Sequence, residues 1–246
     1  MGLIKTKGIV TKIVNYSDSD KILTVISADY GKIQVFCKGA QKPKSAVLAS
    51  TEFLAFSEFV LYDSNTDMYH LSSADIIEVF YNLRVDLDRL NYGTTLSQIM
   101  NDVCQEGELC YKKLQLFLNA LYVLSNTDKE PEFVYSVFKV RMLALLGFVP
   151  KLANCYNCGK KAVEMTGDKY FSIKENGLVC DICARQDKGA IKISEVTYTS
   201  LVYILSSDAK KIFSFEIPEN DLAELKLLSQ VYFTEKLEKE YKIMKI

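Results

Sequence analysis

The chain has 246 residues, of which 49% are hydrophobic and 25% charged, and its formal net charge is −1. This composition excludes a disordered or collagen-like chain, and the length suits one or two domains. The first residues carry no secretion signal, and no apolar run reaches the roughly 18 residues that a membrane-spanning helix needs. We therefore expect a cytoplasmic protein without a membrane partner.

The near-neutral net charge conceals an uneven distribution. Residues 1–48 contain eight lysines and three aspartates, which gives +5, whereas the rest of the chain carries 22 basic and 28 acidic side chains, which gives −6. The basic N-terminal segment could bind a polyanion, although the net charge of the whole chain gives no sign of such a partner.

The first 80 residues contain short runs rich in β-branched and aromatic residues, separated by polar or glycine-bearing turns. Five strands are predicted, over residues 4–14, 21–27, 32–38, 53–62 and 68–72. Five short strands within about 75 residues are typical of a small antiparallel barrel.

The third predicted strand has two distinct faces. Gln34 and Phe36 alternate with the apolar residues Ile33, Val35 and Cys37. Because successive side chains of a strand point to opposite faces, one face belongs to the core and the other offers an aromatic ring. The outer face is a candidate working surface.

A basic loop, residues 38–45, follows this strand, and Gly39 and Pro43 prevent it from continuing as a strand. A solvated loop without a partner is one interpretation, since lysines are normally exposed. Cations beside an aromatic ring are also how single-stranded nucleic acid is held, which favours a binding surface. The predicted DNA contacts are Lys5, Lys7, Lys12, Phe36, Lys38, Lys42 and Lys44.

After about residue 80 the hydrophobic period becomes helical. A first helical stretch covers residues 83–103 with an interruption near Gly93, and a second covers 109–124. A third begins after a cap at Thr127 or Asp128, with Pro131 in its first turn, and stops at Gly147. Two more are predicted over 194–206 and from 218 to about 242.

Two C-x-x-C pairs separated by 21 residues form the strongest motif of the chain. Two such pairs supply four thiolates for one tetrahedral ion, with a short hairpin predicted between them. Structural zinc is the leading interpretation; an iron site with the same ligands and a redox dithiol remain alternatives. The predicted ligands are Cys155, Cys158, Cys180 and Cys183. The other three, Cys37, Cys104 and Cys110, are predicted to be buried core residues.

A search for catalytic motifs finds no P-loop, no dinucleotide fingerprint, no G-x-S-x-G and no zinc-deaminase H-x-E signature. The only histidine, His70, has no neighbouring nucleophile motif and is predicted to be a partly buried strand residue. We therefore expect no enzyme and no small-molecule substrate.

Several segments, taken together in this order, resemble the RecO family of bacterial recombination mediators, and the resemblance spans nearly the whole chain. The specific segments are Asp20-Lys21-Ile22-Leu23-Thr24, the loop Lys38-Gly39-Ala40-Gln41-Lys42-Pro43-Lys44-Ser45, and Leu145-Leu146-Gly147-Phe148-Val149-Pro150 leading into Cys155-x-x-Cys158-Gly159.

The resemblance implies an α+β fold in which an N-terminal OB-fold β-barrel, a DNA-binding domain over residues 1–80, precedes an all-α domain. The helical domain, over residues 81–246, is expected to contain an inserted four-cysteine zinc module at about 151–189. Two departures from the family pattern occur: Gln41 stands where another basic residue is common, and the C-terminus lacks a common Lys-Ser pair.

The function implied by the resemblance is that of a mediator of DNA repair and homologous recombination, associated with the nucleoid. Such a protein binds single- and double-stranded DNA, anneals strands and loads the recombinase onto DNA coated by single-stranded-DNA-binding protein. The implied partners are RecR and the acidic tail of the coating protein. The alternative is a zinc-containing protein–protein adaptor that does not bind DNA directly.

Overall fold

The computed structural model describes residues 2–63 and 68–243 and has the expected α+β architecture, with strands first and helices after them. The strands are β1 (Leu3–Asn15), β2 (Lys21–Ser27), β3 (Gly31–Cys37), β4 (Phe56–Asp63), β5 (Tyr69–Glu78), β6 (Lys169–Ser172), β7 (Gly177–Cys180) and β8 (Ile191–Ile193). The helices are α1 (Leu87–Val103), α2 (Tyr111–Asn126), α3 (Pro131–Leu145), α4 (Asp181–Ala184), α5 (Glu195–Ser206) and α6 (Glu219–Leu237).

Strands β1 to β5 form a closed barrel in the order β1-β2-β3-β5-β4. All neighbours are antiparallel except β3 and β5, which run parallel. β1 is long enough to pair with β2 along one half and with β4 along the other, and a bulge between Val10 and Lys12 bends it between them. The predicted OB-like barrel is confirmed.

The barrel interior is filled by apolar side chains from all five strands, in agreement with the alternation predicted for β3. Its members are Val10, Leu23, Val25, Ile33, Val35, Cys37, Ala40, Phe59, Leu61 and Ala74. Cys37 is one of them, and Cys104 and Cys110 are also fully buried, as predicted. Ala40 belongs to the loop after β3 but lies in this core, which anchors that loop to the barrel.

The prediction of an interruption near Gly93 is wrong, because α1 continues through it without a break. A Cβ atom built on Gly93 would lie 3.4 Å from the side chains of Leu121 and Leu54. The missing side chain therefore allows close packing against α2, and the energy of that packing outweighs the weak helix propensity of glycine, about 1 kcal/mol.

The predicted cap of α3 is also wrong. The residue that caps the helix is Glu130, whose side chain makes no capping hydrogen bond, rather than Thr127 or Asp128. Pro131 does occupy the first helical position, as predicted, since its missing N–H group needs no partner there. Gly147, just past the helix end, has a positive φ of 96°.

The chain divides into two compact units, with the boundary between Thr127 and Asp128. The first unit contains the barrel with α1 and α2; the second contains α3 to α6 and the small sheet β7-β6-β8. The domain boundary near residue 80 stays a prediction. Within the described residues, no helix combines the length and the apolar character needed to cross a membrane.

Candidate nucleic-acid interface and metal centre

The basic loop, residues 38–45, presents its lysines to solvent. Lys38, Lys42 and Lys44 are exposed, and none of them forms an ion pair within 4 Å with any residue that the structure describes. The charge of Lys38 acts on nearby Asp20, but no ion pair has to break before any of the three ammonium groups binds a phosphate. The expectation that these lysines project into water is confirmed.

Hydrogen bonds join the basic loop to the β1–β2 turn, residues 16–20, and we call them the loop latch. The Asp20 carboxylate accepts a 2.7 Å bond from the backbone N–H of Gly39, which has a positive φ of 67°. The Gln41 amide donates to the carbonyl oxygens of Ser17 and Asp20 at 2.9 and 3.0 Å. Gln41, the residue that departs from the family pattern, therefore ties the two loops together.

The same bonds act on the ionisation of Asp20. The Gly39 N–H and then the Ser17 hydroxyl hold the pKa of Asp20 below its ordinary value, because both donate to the charged carboxylate. The Asp20 carboxylate is therefore charged at neutral pH and able to accept these bonds.

An aromatic cluster, formed by Tyr16, Phe36 and His70, lies on the outer face of the barrel. The Phe36 ring centroid is 5.5 Å from that of Tyr16 and 5.4 Å from that of His70, both in edge-to-face arrangements. Tyr16 is 66% exposed. His70 is exposed too, so the prediction that it is partly buried is wrong: its strand position places it on the solvent side, opposite Phe36 in the parallel β3–β5 pair.

The three lysines predicted on β1 fall into two groups. Lys12 lies on the half of β1 that pairs with β2. It belongs to the cross-strand row Lys12-Thr24-Gln34, which is next to the row Val14-Ile22-Phe36. Lys5 and Lys7 lie on the half that pairs with β4. Lys5 forms a 2.7 Å ion pair with Glu58, whose hydrogen bond and charge raise the pKa of Lys5, so its charge is partly neutralised.

The four predicted metal ligands come together in the second unit. Their sulfur atoms all lie within 4.8 Å of one another, and the Sγ atoms of Cys158 and Cys180 are 3.8 Å apart. A tetrahedral ion with metal–sulfur bonds of about 2.3 Å requires sulfur separations of about 3.8 Å, so the residues fit such an ion. The predicted hairpin between the pairs is confirmed as β6 and β7, and β7 ends at Cys180.

Backbone N–H groups in and near the turn from Cys155 to Cys158, which we call the knuckle, favour the thiolate form of Cys155. Burial opposes ionisation of Cys155, but the backbone N–H groups of Cys158, Cys180 and Asn157 lower its pKa to about 6. N–H groups that donate to sulfur stabilise the thiolate, which is the form that binds metal.

Sequence reasoning missed Tyr16, His70 and the structural role of Gln41. Tyr16 follows the end of β1 and lacks the alternation that identified Phe36. His70 could have been found only from the parallel pairing of β3 with β5, which no local pattern reveals. Tyr16 could have been noticed because it is an aromatic residue in a polar turn, where burial in the core does not explain its presence.

Comparisons with known proteins agree with this architecture along the whole chain. The family model "Recombination protein O N terminal" matches residues 1–80, and "Recombination protein O C terminal" matches residues 84–244. A protein named DNA repair protein RecO from Acetivibrio thermocellus is 44% identical over 241 residues, which cover 98% of this chain and 94% of that protein. Its namesake from Caldicellulosiruptor bescii is 33% identical, covering 99% and 97%. The resemblance stated from the sequence is confirmed: the chain belongs to the RecO family of DNA repair proteins.

Proposed function

We propose that the protein is a non-enzymatic recombination mediator that binds DNA through its barrel. In this role it anneals strands and loads the recombinase onto single-stranded DNA coated by its binding protein, with RecR and the acidic tail of the coating protein as partners. Membership of a family of DNA repair proteins supports the role. We place it in the cytoplasm at the nucleoid, with residues 1–80 as the DNA-binding domain and 81–246 as the helical domain.

The observation that carries the proposal is a set of exposed lysines near the aromatic cluster, none of which has an ion pair within 4 Å among the described residues. Lys38, Lys42 and Lys44 lie in the basic loop directly after Phe36 in the chain, and Lys12 lies one row away. Lysine is a point charge without the bidentate fork of arginine, so these contacts favour the DNA backbone over the reading of base edges. Such binding is independent of sequence, as a mediator of repair requires.

We further propose that the four thiolates hold one zinc ion with a structural role. Four sulfur ligands in a tetrahedron are a donor set that zinc takes in structural sites, and they leave no open position for a substrate, which supports the structural role. When bound, the ion cross-links the knuckle at Cys155 and Cys158 to the end of β7 and the start of α4. No chemical step depends on it.

Replacement of Lys38, Lys42 and Lys44 together by alanine tests DNA binding. Each lost phosphate contact reduces the slope of log affinity against log salt by about 0.7 on single strands, so we expect a slope smaller by about 2 and weaker binding at low salt. The melting temperature should not change, because the side chains are exposed. Affinity is measured by fluorescence anisotropy of a labelled oligonucleotide over a salt series.

The matched control replaces Lys112, Lys210 and Lys211, three exposed lysines outside the barrel, with the same loss of charge. The control should bind like the parent. A parent protein whose binding does not depend on salt, or a triple variant that binds as the parent does, contradicts the proposal. Absence of DNA binding combined with retained capture of protein partners would instead favour the adaptor.

A further inference from the structure

We infer that Tyr16, Phe36 and His70 form one base-stacking surface, so that the DNA strand held at the barrel is single, with its bases turned toward the aromatic cluster. The inference rests on the proposed DNA binding and specifies which form of DNA this surface takes. Tyr16 and His70 become DNA-contacting residues alongside Phe36.

The arrangement of the rings leaves them available to a ligand. Both ring pairs meet edge to face, with interplanar angles of 89° and 66°, so the rings do not cover one another by parallel stacking. Tyr16 and His70 are exposed, and Phe36 between them is half-buried. Exposed aromatic rings that cluster on a barrel face mark a binding surface more often than rings scattered singly.

The cluster is part of a longer apolar row across the outer face of the barrel. Strand register places Val14 opposite Ile22, Ile22 opposite Phe36, and His70 opposite Tyr62. Val14 and Tyr62 are both nearly half exposed. A row that crosses several strands offers stacking and apolar contact to consecutive bases, whereas a single ring would serve only one base.

The loop latch ties the turn that carries Tyr16 to the loop that carries the lysines. Tyr16 begins the turn that the Asp20 and Gln41 bonds tie to the basic loop, so the ring and the lysines are held as one unit. Bases and phosphates lie on opposite sides of a single strand, and this unit meets both: rings for the bases and ammonium groups for the phosphates.

A duplex cannot use this surface in the same way. Paired bases are stacked on one another, and their faces become available only after unpairing, at a cost of a few kcal/mol for each base. Phosphates are available in both forms. The lysines therefore bind either form of DNA, and the aromatic cluster adds affinity only for unpaired bases.

The test compares Tyr16→Ala and His70→Ala with the parent on a single-stranded oligonucleotide, on the duplex of the same length, and on an abasic strand of the same length. We expect each variant to bind the single strand about 5- to 150-fold more weakly, since stacking contributes about 1–3 kcal/mol for each base. Affinity for the duplex and the abasic strand, and the salt slope, should change less than about 2-fold.

Two controls keep the test specific to stacking. Tyr16→Phe retains the ring and should bind like the parent, and Tyr122→Ala removes a comparably exposed tyrosine from α2 and should have no effect. Melting temperatures establish that all variants are folded, which is expected because Tyr16, His70 and Tyr122 are all exposed.

The outcomes separate this inference from the proposed function. A parent protein that binds none of the three oligonucleotides overturns the proposed DNA binding itself. A parent that binds with the expected salt dependence, while Tyr16→Ala and His70→Ala bind the single strand as tightly as the parent, overturns the stacking surface alone. An equal loss on the abasic strand also overturns it, because no base is present there.

Discussion

Lys139 is the most deeply buried cation among the residues that the structure describes. It lies in α3 with 1% of its surface exposed, and its ammonium group donates to the Gln230 amide oxygen at 3.0 Å and lies 4.2 Å from the centre of the Tyr135 ring. The nearest acidic influence, Glu132, is itself paired with Lys226. Burial therefore lowers the pKa of Lys139 to about 8, because desolvation outweighs the weak attraction of Glu132.

The substitution Lys139→Met should raise the melting temperature at pH 7, and the gain should disappear by about pH 10.5. The folded chain releases the Lys139 proton near pH 8, whereas the unfolded chain holds it up to its ordinary pKa of 10.5, so the parent becomes more stable as pH rises between these values. The difference corresponds to about 3 kcal/mol. Melting temperatures of both proteins from pH 6 to 10.5 measure it.

Titration of other groups occurs in the parent and the variant alike and cancels in the difference. Lys112→Met, at an exposed position on α2, is the control and should show no such pH dependence. A constant difference between Lys139→Met and the parent across the whole pH range would mean that the native environment does not disfavour the charged lysine.

Single residues were predictable where their chemistry is local. The clustering of the four cysteines could be predicted from spacing alone, because two residues between thiolates already suit one ion. Gly93 and His70 could not be interpreted in this way: the first depends on the side chains of Leu54 and Leu121, and the second on strand pairing. Both are decided by residues distant in sequence.

At the scale of elements, the loop latch couples two segments that sequence reasoning treated separately. The β1–β2 turn carries Tyr16 and the basic loop carries the lysines, and side-chain bonds from Asp20 and Gln41 join them. A loop that is ordered before binding loses less conformational entropy when it contacts a ligand. The basic residue expected at position 41 is therefore replaced by a residue that orders the other cations.

The substitution Gln41→Ala should weaken binding to single-stranded DNA by about 2- to 10-fold without altering the salt slope. It removes two hydrogen bonds of about 0.5–1.5 kcal/mol each and no charge, and the loosened loop must be ordered again on binding. Affinity over a salt series and hydrogen exchange of the Gly39 amide provide the two measurements.

Exchange at Gly39 should become faster in Gln41→Ala, because the neighbouring bond to Asp20 depends on the same loop position. Ser45→Ala, in the same loop and at a side chain for which the described residues show no hydrogen bond, is the control. Unchanged exchange and unchanged affinity in Gln41→Ala would together show that the Gln41 side-chain bonds do not order the loop.

The elements themselves could largely be predicted, but their partners could not. Strand alternation identified all five barrel strands, yet nothing local indicates that β1 pairs with both β2 and β4, or that β5 continues to Glu78. Likewise Ser194, which accepts a bond from the Thr197 N–H, is a cap of the expected kind, whereas Glu130 caps α3 without a side-chain bond. Backbone pairing and tertiary packing decide these features.

At the scale of the whole molecule, the four clustered cysteines and the residues proposed to contact DNA belong to different compact units. The lysines and the aromatic cluster lie before residue 128, and all four cysteines lie after it. Cys180 ends strand β7 of a sheet of only three short strands, and the other three cysteines lie outside that sheet, so a bound ion would cross-link the sheet to the segments beside it. Loss of the metal should therefore unfold this sheet without unfolding the barrel.

Protein purified without added metal should contain about one zinc ion per chain by elemental analysis, and less than about 0.2 zinc and iron together would refute the site.

After chelation, amides of β6, β7 and β8 should exchange faster, while those of β1 to β5 keep their protection and single-stranded DNA binds as before. Cys158→Ala should reproduce this pattern without chelator, because its exposed thiol is one of the four proposed ligands. Asn157→Ala, in the same knuckle but without a thiol, should keep its metal. Faster exchange throughout the barrel after chelation would show instead that the ion stabilises the entire chain.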